Sequence, residues 1–331
     1  MKPKIGLWSD AVNFPSLPLM KLSAHYKQKY PGCTVKLIDD FSERFDVACC
    51  SKTFNLPAIR KIPLMPCLPL ADEIHLGGTG FAISDDGGKE RYFKDKDPSL
   101  PHEAEHVYPD YNLYPELTKD AAFGFLTRGC PNRCGFCVVS GKEGAKTAQV
   151  ADLSEFWRGQ PNIKLMDANL LASPNAESLL MSLAESKASL DITQGLDARF
   201  VNDSIARLLG KVKIKMIHFA FDLPRNEADI VRGLTLFKKY STTTCRERKV
   251  YVLTNYNTTH AEDWHRVKKA VELGFQPDVR IYRKGTHPRF LTDLARWANL
   301  SRLYRSCSFE DYVPRKDGKR CGELYEDILR T

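Results

Sequence analysis

Nowhere in the 331 residues does an uncharged apolar run approach about 18 residues, the length that crosses a bilayer. The opening Met1-Lys-Pro-Lys-Ile-Gly-Leu-Trp-Ser-Asp10 also lacks the apolar core and small-residue cleavage site of an export signal. No membrane association is expected, and the cytoplasm is the expected compartment. Cysteine is too sparse for a disulfide scaffold: ten residues are present, against about 8–10% in such proteins. Thiols without an export signal suit a reducing compartment, where some can serve a metal. No long basic block stands behind the net charge of +8, which comes from 49 Lys and Arg interspersed with 41 Asp and Glu. That charge gives a mild preference for anionic partners. Apolar residues at 43% and charged residues at 27% provide for a sizeable core and argue against disorder.

Short apolar runs alternate with helical spacing. Strands are expected over Lys4–Trp8, Thr34–Ile38, Phe45–Cys49 and Glu73–Leu76, with a helix over Leu17–Tyr30. This alternation predicts an α/β fold that begins with a Rossmann-like open parallel sheet over residues 1–84. Its last strand runs into Gly77-Gly78-Thr79-Gly80, a turn that either admits a ligand to the backbone or simply bends the chain. A linker over 85–119 contains Gly87-Gly88 and several prolines. The alternation resumes with strands at Phe123–Thr127, Ile163–Met166, Leu190–Gln194, Met216–Phe221, Val250–Thr254 and Val279–Tyr282. Helical patterns lie between them, with Asn202 or Asp203 and Thr258 or Thr259 as candidate caps. Six βα units over 120–300 predict a partial (β/α)6 barrel with function at the carboxyl ends of its strands. A basic tail fills 301–331.

The strongest signal is Thr127-Arg-Gly-Cys130-Pro-Asn-Arg-Cys134-Gly-Phe-Cys137, directly after the first strand of that array. Three thiolates within eight residues can wrap one metal centre, and their softness selects iron–sulfur, zinc or copper(I). A structural zinc would want a fourth ligand nearby, but the next histidine is His218 and the next cysteine Cys245. Three ligands with an open fourth position suggest a cluster whose unique iron binds a small molecule.

These residues resemble the radical S-adenosylmethionine (radical SAM) superfamily, whose signature is C-x3-C-x-aromatic-C ahead of a βα array. The amino-terminal segment loosely resembles the branches that begin with a cobalamin-binding domain. The superfamily implies a [4Fe–4S] cluster on Cys130, Cys134 and Cys137, with S-adenosylmethionine on the fourth iron. It implies reductive cleavage of that cofactor to a 5′-deoxyadenosyl radical acting on a substrate, and an electron donor such as flavodoxin or ferredoxin. Strand ends would supply the other cofactor contacts. Asp167 and Asn169 would meet the amine, where many members carry Gly-Gly-Glu. Arg199 would meet the carboxylate, and Gln194 or Asp197 the ribose. Asn255 would meet adenine or ribose, and Phe136 adenine. The alternative for Asp197 and Arg199 is a pair with each other.

Three further features bear on function. The other seven cysteines (Cys33, Cys49, Cys50, Cys67, Cys245, Cys307 and Cys321) show no C-x2-C spacing and read mainly as buried apolar residues. Cobalamin is a candidate cofactor, but the Asp-x-His-x-x-Gly ligand loop is absent after the first strand; a cobalamin-dependent methyltransferase is therefore an alternative rather than the expectation. The tail interleaves Arg302, Arg305, Arg315, Lys316, Lys319 and Arg320 with Tyr304, Phe309 and Tyr312. That pattern keeps nucleic acid as a candidate substrate, and a metal-stabilised nucleic-acid-binding protein as a non-enzymatic alternative. Packing of the tail against the barrel is the expected outcome, since acidic residues dilute its charge.

Overall fold

The computed structural model describes residues 2–54, 65–86, 89–282, 287–316 and 318–330; Gly87 and Gly88 of the expected linker lie outside them. Strands β1 (Lys4–Ser9), β2 (Thr34–Leu37), β3 (Arg44–Ser51) and β4 (Leu70–Gly77) form a parallel sheet in the order β2-β1-β3-β4. The expected third and fourth strands are each longer than their apolar runs, because pairing continues through Arg44, Ser51, Leu70 and Gly77. Ile5, Leu7 and Cys49 meet Leu19 of the helix Leu17–Lys29 on one face, and Trp8, Phe45, Ala48 and Cys50 meet Ile38 on the other. Proline in the first turn starts that helix, and Lys27 and Lys29 complement its carboxyl end.

A hairpin of β5 (Ile83–Asp86) and β6 (Lys89–Tyr92) follows, a regular element inside a segment whose composition predicts irregular chain. The second sheet is built from β7 (Ala121–Gly124), β10 (Asn162–Leu165), β11 (Ser189–Leu196), β12 (Ile214–Ala220), β13 (Arg248–Thr254) and β14 (Gln276–Ile281). Between its first two strands, β8 (Thr127–Arg128) and β9 (Ala148–Gln149) form a small antiparallel pair. The six strands are parallel and stand in sequence order. Successive right-handed crossovers in one direction put the connecting helices on one face of such a sheet. Accordingly Ile163, Ile192, Phe219, Val250 and Val279 share one core with Leu180, Leu209, Phe237, Val267 and Leu294 of the intervening helices. The first strand ends earlier than expected: Gly124 closes β7, and Thr127 belongs to β8. Asn202 caps one helix through Ile205 N at 2.8 Å, and Thr259 caps another in a box with Glu262.

The helix Leu17–Lys29 serves both sheets. Leu17 and Met20 pack on Ala121 and Phe123 of β7, and Phe14 meets Phe123 edge-on at 5.2 Å. The same helix is tied to the intervening segment by Ser23 and Lys27, which both donate to Asp110, and by Lys21, which donates to Glu105. In the tail, Phe309, Tyr312 and Cys321 are buried against the second core, so its aromatics are engaged there and the packing expectation holds for them.

Candidate functional site

The cysteine loop leaves β7 at the carboxyl end of the second sheet. Gly129 is required in it: its φ is +93°, and a Cβ would lie 2.0 Å from the Lys146 carbonyl oxygen. Glu143 accepts from the Gly129 backbone N–H at 3.1 Å and from Arg128. A turn joins Cys134 O to Cys137 N at 3.0 Å. Cys130 and Cys134 are half-buried and Cys137 is exposed. Burial raises the Cys134 and Cys137 thiols, and in both cases neighbouring loop thiols and Asp222 add to the rise. Among the described residues no three His, Cys, Asp or Glu side chains gather as they would around a single metal ion. A cluster sets its thiolates wider apart than one ion does, each on its own iron.

Three other strand ends grip this loop. After β10, Asn169 is 2% exposed and its Nδ2 donates to Cys130 Sγ at 3.5 Å, while its buried Oδ1 has no partner among the described residues. After β11, Asp197 accepts from Arg199 Nε at 2.8 Å and from Asn132 Nδ2 at 2.8 Å; Arg199 also donates to Asn132 Oδ1 at 2.8 Å. This triangle joins the middle of the cysteine loop to the strand end. Arg199 and Asn132 hold the Asp197 carboxyl below the usual range against the opposing effect of burial, and the nearby Cys134 and Cys130 help hold the guanidinium in its charged form. After β13, Tyr256 meets Phe136 edge-on at 5.0 Å, and a Cβ on Gly135 would lie 2.5 Å from the Tyr256 hydroxyl.

Two further carboxyls stand near this shell, one buried and one half-buried. Asp167 is fully buried and accepts from the Leu126 and Thr127 backbone N–H groups and the Thr127 hydroxyl. Asp222, after β12, accepts from Leu253 N at 3.0 Å. Burial pushes both up to about 6. Beneath them Arg266, itself fully buried, donates to the carbonyls of Phe221, Asp222 and Leu253 and pairs with Asp263. It thereby locks the ends of β12 and β13 together.

The protein partners of the expected cofactor contacts are as follows. Asp167, expected at an amine, instead pins the root of the cysteine loop, because its oxygens are taken by that backbone. Arg199, expected to pair with a cofactor carboxylate through its fork, gives two donors of that fork to Asp197. Asn255 gives its amide to Tyr282 O at 3.0 Å and sits at φ 64°, a left-handed turn that asparagine tolerates. Gln194 is exposed on β11, and Phe136 is half-buried against Tyr256. His218 is a core histidine as expected, bonded through Nδ1 to Ile192 O at 2.8 Å. Gly78 and Gly80, candidates for a ligand turn, face the backbone of Lys52 and Phe54 instead. Sequence reasoning missed Asn132 and Tyr256; the position of Asn132 between two cysteines was the available signal for the first.

No family model matches the chain, and no curated protein does. Among solved structures it is similar to Streptococcus suis SuiB bound to the precursor peptide SuiA, at 11% identity and a TM-score of 0.36. The match covers 59% of this chain and 48% of the SuiB chain, so the chain spans about half of that structure.

Proposed function

We propose that the chain is a radical SAM enzyme, with a partial (β/α)6 barrel over about residues 120–300 behind a Rossmann-like amino-terminal part. The observation that carries this reading is the placement of the C-x3-C-x-F-C loop at the carboxyl end of β7, gripped by the ends of β10, β11 and β13. Cys130, Cys134 and Cys137 would hold a [4Fe–4S] cluster, and the polar surroundings fit it: one amide donates to a thiol, and one guanidinium stands near two thiols. With S-adenosylmethionine bound, the cluster supplies one-electron cleavage of the cofactor and, through it, abstraction of a substrate hydrogen. The chain's own residues bind and orient. Asn169 Oδ1, an acceptor with no partner among the described residues, suits an ammonium group. Arg199, immobilised by Asp197 and Asn132, keeps its remaining N–H edge for a carboxylate. Phe136 and Tyr256 offer apolar surface to adenine, and Gln194 is free to meet ribose. Reduction would come from a flavodoxin- or ferredoxin-type donor.

Anaerobic reconstitution with iron and sulfide should give cluster absorbance and, with dithionite and S-adenosylmethionine, 5′-deoxyadenosine. Cys134→Ala should remove both, lowering product formation by more than a hundredfold. A fully loaded protein that forms no 5′-deoxyadenosine would overturn the proposal.

A further inference from the structure

Asn169 is an expensive choice for its position. Burying an amide with an unpaired oxygen costs about 1–3 kcal/mol relative to a satisfied site, and a leucine of similar volume would avoid that cost. Its nitrogen is directed at one thiol, Cys130, at 3.5 Å. Cys137 instead receives a backbone N–H from Val139, and Cys134 lies near Asp222 and Arg199. Arg199 is shared by Cys130 and Cys134, and Asp222 by Cys134 and Cys137, but among the described residues Cys130 is the loop thiol that receives a side-chain N–H.

We infer that Asn169 sets the reduction potential of the iron–sulfur centre by donating an N–H···S hydrogen bond to Cys130, an inference that rests on the function proposed above. Reduction adds negative charge, part of which falls on the ligand sulfurs. A donor aimed at one of them stabilises the reduced state and raises the potential. Asn169 is thus a tuning residue that acts through Cys130. Its position is fixed at the close of β10, where its own carbonyl accepts from Ala172 N at 3.2 Å and Asp167, two residues earlier, is bound into the loop root.

The test uses the whole chain, reconstituted anaerobically, as wild type, Asn169→Asp and Asn169→Leu. The aspartate variant keeps the shape and replaces the donor with an acceptor; the leucine variant removes both. Circular dichroism and iron content report folding and loading, and redox titration followed by electron paramagnetic resonance, without S-adenosylmethionine, gives the midpoint potential. Both variants should load like wild type and titrate at lower potential, with Asn169→Asp the lower of the two. Loaded variants with the wild-type midpoint would overturn the inference and leave the proposed function standing. Variants that both fail to fold or to take up iron would also overturn it, by assigning Asn169 to assembly. A wild-type protein that takes up no iron would overturn the proposed function as well.

Discussion

At the scale of single residues, the two carboxyls raised to about 6 make stability depend on pH in an unusual direction for acidic groups. Their ordinary value is 3.8, so between about pH 4 and 6 the folded chain keeps protons that the unfolded chain has released. The stability they contribute is complete below about pH 4 and is lost as pH rises through 6. Asp167→Asn keeps the shape but cannot titrate. In urea unfolding of the metal-free chain, the gap between variant and wild type should move in the variant's favour by about 1 kcal/mol from pH 5 to pH 8. A gap that stays constant would mean that Asp167 is ionised throughout. Arg266 shows the opposite solution to burial, since its donors are answered by four carbonyls and Asp263.

At the scale of elements, the approach of helix to strand end decides how well the site is held. Gly233, in the helix Glu227–Tyr240, would place a Cβ 1.8 Å from the Ala198 carbonyl oxygen, inside the turn that carries Asp197 and Arg199. Gly233→Ala should therefore destabilise the fold by about 1–3 kcal/mol and displace that turn. A thermal melt unchanged from wild type would contradict this. The strands themselves were legible in the sequence because their helix-covered face places apolar residues at alternate positions or in short runs, as at Ile163 and Leu165 and over Val250–Leu253. The cysteine loop was legible from its spacing. What escaped were the partners: the triangle of Asn132, Asp197 and Arg199 spans 67 residues between its outer members, and no local pattern reports such a contact. The partners of Asp167 and Asn255, the Leu126–Thr127 backbone and the Tyr282 carbonyl, escaped for the same reason. A polar residue at a strand end can face a ligand or the neighbouring backbone, and sequence does not distinguish the two.

At the scale of the molecule, a second tie joins the first sheet to the cysteine loop. Lys142, at the end of the short helix after Cys137, donates to Thr79 at 2.6 Å and pairs with Asp97 at 3.1 Å. Asp97 also accepts from Gly78 N at 2.9 Å and from the Tyr92 hydroxyl at 3.0 Å. The glycine turn after β4 thus acts as an anchor for the loop. Lys142→Met should cost about 1 kcal/mol and increase hydrogen exchange in Val139–Lys142 and around Thr79, with little change in the helix His260–Glu272. Exchange that rises evenly through the chain, or in neither segment, would rule out a local tie.

The helix Leu17–Lys29, shared between the two sheets, also has a consequence in time. Its Leu17 and Met20 face waits for Ala121 and Phe123, which are made about a hundred residues later, some 5–20 s at ordinary rates of synthesis. During that interval the emerging chain carries an apolar stripe with no partner. The first sheet can pair its strands early, but the molecule closes only when β7 leaves the ribosome.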